Sequence, residues 1–352
     1  MTSVDTLERR VIHAMLNRED LYADERNQVN RCRYVGQKGG HYESYFLRAN
    51  HPDKPMAFWI RHTIFSPKKF PERAIGELWA VFFDGETQKI VAAKKEYALS
   101  QCEFSRQGLN VRLPDGFLKP GQAQGSVQGS QNRLAWDLTF GGADRPLRLL
   151  PETFYERKFP KAKALVASPN AQFDGRFSVN GESIAIEDWV GSENHNWGSQ
   201  HTDEYAWGQV AGFDNAPTVF LECATARLKF GPVWTPRFTT LVLRVGDRDF
   251  RMNSLWQSLK ANGRYGYFNW HIETATKDVR ILAHFHAGTE AFAGLNYLNP
   301  PGGSSTCLNS KIAFCRVVLQ ERGQPERVFE TAWRGAFEIL TKDIGHGIAV
   351  LA

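Results

Sequence analysis

The segment 191–208 holds the densest group of side chains capable of chemistry in this sequence. It reads GSENHNWGSQHTDEYAWG, so carboxylates, imidazoles, amides and large rings lie close together along the chain. Glu193 or His195 could transfer a proton, because burial can raise the pKa of a carboxyl group while a neighbouring imidazole stays near neutrality. Asn196 could orient either group or a substrate. We therefore predict Glu193, His195 and Asn196 as the catalytic residues.

The composition of this segment is typical of a loop that leads into a strand. The Asn and Gly residues between 191 and 198 indicate irregular backbone, whereas 205–213 alternates like a strand. Polar groups of this density beside an aromatic strand are typical of the mouth of a pocket. The alternative is that Asn194, His195 and Asn196 satisfy backbone groups of a tight corner between strands.

Aromatic residues would form the wall of such a pocket. Trp197, Tyr205 and Trp207 lie in or just after the predicted loop, with His201 between them. The π faces of tryptophan stabilise positive charge, which suits a reaction that passes through a cation. We predict these four residues as substrate-binding.

Two strands of the first half are apolar on both faces, as expected where one face packs on a core and the other lines a cavity. They carry further predicted substrate-binding residues, which are Trp59, Arg61, His62, Glu77 and Trp79. Arg61 and Glu77 could pair across the sheet, either as part of a site or as a structural ion pair.

A second group of candidate ligands lies in the second half. His271 and Glu273 are two residues apart on one predicted strand, and His284 and His286 are two apart on the next. Residues at i and i+2 of a strand share a face. A hairpin could therefore bring two histidines and a carboxylate together as in a metal site. The apolar residues on the opposite faces of both strands favour solvent-facing histidines instead, so we predict no metal ligands here.

Composition favours a β protein and excludes several classes of function. The 352 residues include 24 Phe, 10 Trp and 10 Tyr, residue types that favour strands. The net charge of +5, from 43 basic and 38 acidic residues, is dispersed, so we expect no nucleic-acid partner. The five widely spaced cysteines indicate reduced thiols. Without a predicted leader or membrane span, we expect a cytoplasmic protein.

The pattern along the chain predicts two halves of similar texture. Apolar residues between 4 and 16 recur at helical spacing and predict a short N-terminal amphipathic helix. Short aromatic strands then follow almost to the end, and we divide the chain into domains 1–150 and 151–352, the second carrying the ENHNWG loop. A weak repeat around Trp136 and Trp270, offset by 134 residues, favours duplication.

The run GSENHNWG followed by WGQV resembles the signature of a lipocalin-like family. That family includes carotenoid 1,2-hydratase (hydroxyneurosporene synthase), AttH-type proteins and, more distantly, tocopherol cyclase and fungal Diels–Alderases. The resemblance implies two tandem lipocalin-like antiparallel β-barrels, or strongly curved sheets, around a hydrophobic ligand. It also implies protonation or templating of an isoprenoid or polyketide with no metal or organic cofactor. Asn194 separates the acid from the histidine here, which leaves the proton donor open.

These observations lead to one expected function and two alternatives. We expect a protein that binds a hydrophobic small molecule and catalyses its cofactor-free hydration, isomerisation or cyclisation by proton transfer and templating. The first alternative is a carrier without a reaction, and the second is a His/Glu metalloenzyme. The expected partner is the small molecule itself, with transient membrane contact as a further option. Members of one fold differ in chemistry, so the fold does not decide between these.

Overall fold

The computed structural model describes residues 21–352. The helix predicted between residues 4 and 16 lies outside the described residues. Within them, helices are short, since α1 (Ala23–Val29) has seven residues and α2 (Leu255–Lys260) has six. No helix in the described chain has the length and hydropathy that a membrane span requires.

The first sheet is antiparallel and has twelve strands. Its strands in chain order are β1 (His41–Asn50), β2 (Met56–Ser66), β3 (Ile75–Asp84), β4 (Lys89–Ala98), β5 (Glu103–Phe104), β6 (Val111–Leu113), β7 (Gly116–Lys119), β8 (Gln122–Gln128), β9 (Arg133–Gly141), β10 (Leu147–Arg148), β11 (Ala162–Val179) and β12 (Glu182–Gly198). Their spatial order is β4-β3-β2-β1-β12-β11-β9-β8-β7-β6-β5, and β10 also pairs with β11.

The second sheet is antiparallel and has ten strands. The remaining strands in chain order are β13 (Glu204–Phe213), β14 (Ala216–Arg227), β15 (Lys229–Phe230), β16 (Val233–Trp234), β17 (Phe238–Val245), β18 (Arg248–Met252), β19 (Asn262–Gly266), β20 (Asn269–Ala275), β21 (Val279–His286), β22 (Ala293–Leu298), β23 (Ser304–Glu321) and β24 (Arg327–Thr341). The spatial order is β18-β17-β14-β13-β24-β23-β21-β20-β19, with β22 paired to β23, while β15 and β16 form a separate hairpin.

The two sheets repeat one topology. The order β4-β3-β2-β1-β12-β11-β9 of the first sheet matches β18-β17-β14-β13-β24-β23-β21 of the second. The short strands β10 and β22 also pair with equivalent long strands, β11 and β23. The predicted repeat between Trp136 and Trp270 instead aligns β9 with β20, because aromatic strand–turn–strand patterns recur at non-equivalent positions.

The mostly β prediction with two curved antiparallel sheets is confirmed. The chain passes from the first sheet to the second between Gly198 and Glu204. The sequence instead predicts a domain boundary after residue 150. The segment 162–198 belongs to the first sheet because its two long strands pair with strands of that sheet. β12 pairs with β1 and β11, and β11 also pairs with β9.

The three largest apolar clusters of the described residues lie within and between the two sheets. One cluster fills the curve of the first sheet, around Phe58 and Phe177, and another fills the second sheet, around Trp270 and Phe337. A third lies between the two sheets and joins Trp59 to the second sheet. β2 and β3 are therefore buried on both faces, as their doubly apolar sequences predict. β1 is also buried on both faces, although its sequence is more polar.

Candidate functional site

The motif ENHNWG lies within β12 rather than in a loop of the second half. Because successive residues of a strand point to opposite faces, Glu193 and His195 lie on one face of the first sheet. Asn194 and Asn196 lie on the face that meets the second sheet. The loop prediction was wrong because Gln209 of the second sheet satisfies the Asn194 amide, a partner that composition does not reveal. The predicted catalytic trio is thus divided by the sheet.

Glu43 of β1 is the central acceptor on the first of these faces. His195 Nε2 lies 2.9 Å and His41 Nε2 lies 2.8 Å from its carboxylate oxygens, and the Tyr45 hydroxyl donates to Oε1 at 3.0 Å. Burial would raise the pKa of Glu43, but the hydrogen bonds from His195 and His41 outweigh it and lower the pKa. Glu43 is therefore an ionised, fully buried carboxylate.

This acceptor also holds the chain segment that follows α1. The backbone N–H groups of Arg33 and Tyr34 donate to the Glu43 carboxylate at 2.8–3.0 Å. His195 Nδ1 lies 3.1 Å from the carbonyl oxygen of Val29. Both nitrogens of His195 are thus engaged within the protein, so its geometry supports a positioning role for this ring.

Glu193 is a buried carboxyl group on the same face. Asn30 Nδ2 donates to its Oε1 at 2.8 Å. Burial raises the pKa of Glu193 to about 7, while Arg26 and Asn30 oppose the shift. Glu193 can therefore hold a proton near neutrality, but it faces the segment after α1 rather than the second sheet.

A polar bridge joins the opposite face of β12 to the second sheet. Gln209 of β13 donates from Nε2 to Asn194 Oδ1 at 2.8 Å and accepts from the Ser192 hydroxyl at 2.6 Å. Asn194 Nδ2 also donates to Ser192 Oγ at 2.9 Å. Asn196 follows on this face, and its buried Oδ1 has no partner among the described residues. Asn194 therefore fixes the two sheets, whereas Asn196 has an oxygen available to a ligand.

Arg61 of β2 lies at the centre of an aromatic cluster between the sheets. Its Nε and Nη2 donate to Ser44 Oγ at 2.9 and 2.6 Å. The guanidinium carbon lies 4.4 Å from the centre of the Tyr297 ring and 5.8 and 5.9 Å from those of Trp59 and Trp79. Burial alone would lower the pKa of Arg61, but Tyr297 and nearby acids raise it overall. The side chain is a buried cation with aromatic neighbours.

The predicted pair of Arg61 and Glu77 is not formed. Glu77 instead pairs with Lys94 of β4, whose Nζ lies 2.7 Å from Oε1, and accepts from Trp79 Nε1 at 3.3 Å. Lys94 also lies over the Trp79 ring. The choice of partner follows from strand order, because β4 flanks β3 and supplies a cation at the rim of the sheet.

The second sheet contributes a buried lysine that sequence analysis missed. Lys311 Nζ lies 2.7 Å from Glu338 Oε1 and donates to Asn309 Oδ1 at 2.5 Å. The same nitrogen lies 5.8 and 5.7 Å from the ring centres of Trp59 and Trp207. A lysine inside the apolar run of β23 was the signal available in the sequence, since such residues are buried only when paired.

Glu222 of β14 was also missed, and like Glu338 it is a buried acid on the face between the sheets. Trp207 Nε1 donates to its Oε1 at 3.2 Å, and Oε2 has no partner in the part of the chain that the structure describes. Burial raises the pKa of Glu222 to about 8, against the effect of the Trp207 hydrogen bond. Glu222 therefore carries a proton at neutral pH, and the sequence signal was its isolation among apolar residues.

The half-buried end of this surface carries stacked rings. His201 stacks on Tyr42 with ring centres 3.8 Å apart, and its ring centre lies 5.8 Å from that of Tyr297. Tyr205 begins β13 at the same end, beside the half-buried His201. Burial lowers the pKa of His201 to about 3. The structure thus brings His201, Tyr205 and Tyr42 together where the surface meets solvent.

Two predicted substrate-binding residues lie elsewhere. Trp197 shares the face of Glu193, with Arg33 4.6 Å from its ring centre. His62 points into the first sheet, and neither of its ring nitrogens has a partner within residues 21–352. Burial lowers the pKa of His62 to about 3, so it is neutral. Both residues are separated by the sheet from the aromatic surface around Arg61.

Comparison with known proteins identifies the fold of this chain but assigns it to no family. No family model matches the chain. Two uncharacterized proteins of Mycobacterium tuberculosis, from strains H37Rv and CDC 1551, are each 25% identical over 309 residues, covering 85% of this chain and 87% of each relative.

Solved structures match over most of the chain at low sequence identity. An AttH-type protein from Nitrosomonas europaea has a TM-score of 0.53 at 15% identity, covering 85% of this chain and 92% of that one. Kievitone hydratase from Nectria haematococca has a TM-score of 0.51 at 11% identity, covering 88% and 93%. CghA has a TM-score of 0.51 at 11% identity, covering 88% and 90%. The fold is lipocalin-like.

The alternative metal site considered for the second lipocalin-like half is not assembled among the described residues. His271 and His284 stack with ring centres 4.2 Å apart, but Glu273 is hydrogen-bonded to Arg280. His286 Nδ1 lies 3.1 Å from the Phe268 carbonyl oxygen. Among the described residues, no group of three histidines, cysteines or carboxylates could hold a metal. This alternative fails because a shared strand face does not by itself bring ligands to one point.

Two of the surface clefts formed by the described residues lie away from the candidate site. One, of about 650 Å³, is lined by residues of β6–β9 and β11, including Trp136 and Arg176. The other, of about 710 Å³, lies between Arg145 of the first half and Asp249 of the second. Neither cleft is lined by the predicted site residues.

Proposed function

We propose that this protein binds a hydrophobic small molecule between its two lipocalin-like halves and catalyses its cofactor-free hydration, isomerisation or cyclisation. The observation that carries the proposal is the surface between the sheets, where aromatic rings surround Arg61 and Glu222 holds a proton in apolar surroundings. The fold shared with kievitone hydratase supports hydration among these reactions.

The predicted chemistry begins with proton transfer from Glu222. Its proton would add to one carbon of a substrate double bond, and the electron pair of that bond would form the new C–H bond. The resulting cation would lie beside Trp207 and Trp59, whose π faces stabilise positive charge. Addition of water and return of one proton to the Glu222 carboxylate would complete a hydration. Attack by a second double bond, followed by the same return, would complete a cyclisation.

Arg61 defines the kind of ligand that would fit. It is a buried cation whose direct hydrogen bonds go to the neutral Ser44 hydroxyl. A ligand oxygen with negative charge or high electron density would complement it, while the apolar body of the ligand packs on the rings. Asn196, whose buried Oδ1 has no partner among the described residues, could accept a hydrogen bond from a hydroxyl group of the same ligand. We therefore propose a lipophile with an acidic, phenolic or carbonyl head group.

The role of Arg61 predicts a preference between two otherwise matched probes. Retinoic acid should bind more tightly than retinol by about tenfold or more, because a hydrogen bond to a charged group contributes about 1.5–3 kcal/mol. Arg61→Met should remove this difference, measured by quenching of tryptophan fluorescence. Lys95→Met on β4 is the control, because Lys95 and its partner Asp115 are exposed and such an ion pair contributes little. A preference unchanged in Arg61→Met would contradict this role.

The proposed function as a whole is tested by what the protein holds when purified. We expect mass spectrometry of its organic extract to recover a polyene, prenylated ring or polyketide in near-equivalent amount, because a ligand buried between the halves dissociates slowly. The same compounds, added back, should quench tryptophan emission. An empty extract from folded protein, together with no quenching by a panel of such lipophiles, would overturn the proposal.

A further inference from the structure

The connections between strands define two ends of the molecule. At one end β2 leads to β3, β11 begins, and β12 leads through residues 199–203 to β13. The two halves meet at this end, where the backbone N–H of Lys68 in the first half donates to the Pro300 carbonyl oxygen in the second at 2.8 Å. The stacked rings of Tyr42 and His201 lie at the same end. We name it the apolar end, for the residues described next.

Exposed large apolar side chains gather at the apolar end. Trp256 is 74% exposed and Val233 is 65% exposed. Monomeric soluble proteins rarely expose such groups together unless they bind a partner or a membrane. Those that project from this end include Phe70, Phe159, Phe230, Val233, Trp256 and Leu259.

Basic residues lie next to several of these exposed apolar side chains. The connection before β3 contains KKFPER, in which exposed Phe70 lies between basic residues, and the connection before β11 contains ERKFPK around exposed Phe159. Each run has three basic residues and one acidic residue. In the second half, exposed Lys229 and Lys260 lie next to Phe230 and Leu259.

We propose that the apolar end docks on the surface of a lipid bilayer that contains anionic headgroups. The exposed apolar side chains come from separate connections of both halves, so together they suit contact with a broad surface better than binding in a single groove. Phenylalanine and tryptophan insert at the boundary between headgroups and acyl chains, while lysine and arginine attract anionic lipid. The stacked rings beside the site between the sheets lie at this end. Delivery of a lipophile from the bilayer to that site rests on the proposed function, whereas docking itself does not.

Docking is tested by sedimentation of the full chain with vesicles and without added ligand. We expect it to bind vesicles of phosphatidylcholine mixed with phosphatidylglycerol more tightly than phosphatidylcholine alone, and less tightly as salt increases. Each basic residue near such a surface contributes about a fivefold factor, so Lys68→Gln/Lys69→Gln/Lys158→Gln should lower the partition coefficient on the order of 100-fold. Trp256→Ser/Leu259→Ser should weaken binding to both kinds of vesicle.

The matched control neutralises three exposed basic residues at the opposite end of the sheets. Lys54→Gln/Lys89→Gln/Arg322→Gln removes the same charge and should leave binding to anionic vesicles within about threefold of the unmodified chain, because these residues would face away from the bilayer. Equal loss in both triple variants, or no vesicle binding by the unmodified chain, would overturn the proposal. Dimerisation that is abolished by Trp256→Ser/Leu259→Ser would identify a second copy as the occupant instead and would also overturn it.

Discussion

Glu43→Gln is expected to lower the free energy of unfolding by about 3–5 kcal/mol, the usual cost of removing one partner from a buried charged network. The carboxylate accepts hydrogen bonds from His41, His195 and Tyr45 and from two backbone N–H groups. A glutamine would offer one acceptor in place of two and would direct N–H groups at other donors. The midpoint of urea unfolding measures the loss.

The control for this prediction is Glu96→Gln, which removes an exposed carboxylate paired with Lys94 on the same sheet. It should change stability by no more than about 0.5 kcal/mol, as exposed pairs contribute little. Hydrogen exchange should also show faster exchange of the Arg33 and Tyr34 amides in Glu43→Gln, because Glu43 anchors them. Equal stability of the two variants would show that Glu43 does not hold this segment.

Glu222→Gln is expected to lower the rate of the proposed reaction by about 10²–10⁴-fold, the range that a positioned general acid contributes. Glutamine keeps the size of the side chain but cannot release a proton, so binding of the lipophile should change little. The measurement is turnover of the compound recovered from the protein, alongside its binding. Unchanged binding with lost turnover would assign Glu222 to chemistry rather than to packing.

The pH dependence and a second variant make this assignment specific. Because burial raises the pKa of Glu222 to about 8, the protonated form is present below that pH, and the rate should fall as the pH rises through it. Glu193→Gln is the matched control, a buried carboxyl with a raised pKa on the opposite face. Loss of turnover in Glu193→Gln with retention in Glu222→Gln would instead support Glu193, the acid that the sequence favours.

Most strands could be predicted because their signal is local. The run 205–213, for example, was recognised as a strand within one residue of the observed bounds of β13. The end of β12 was not, because its Asn and Gly residues are typical of loops. The Asn194 amide is satisfied in part by Gln209 of the second sheet, and no local pattern reports such a partner.

The candidate site was predicted only in part for a related reason. Trp59, Arg61 and Trp79 were chosen from two doubly apolar strands, and the structure places all three between the sheets. Glu222 and Lys311 stood alone in apolar runs of the second half, and their meaning depended on which strands would face each other. That pairing is a property of the assembled sheets.

The sequence by itself determined that this protein is mostly β, that both halves are rich in aromatic strands, and that β2 and β3 are apolar on both faces. These properties follow from alternation and residue type, which act over a few residues. Only the tertiary structure decided which face of β12 each residue of ENHNWG occupies and that Glu222 rather than Glu193 faces the aromatic cluster. The physical reason is that a side chain's chemistry depends on its burial and charged neighbours, and in antiparallel sheets these come from distant parts of the chain.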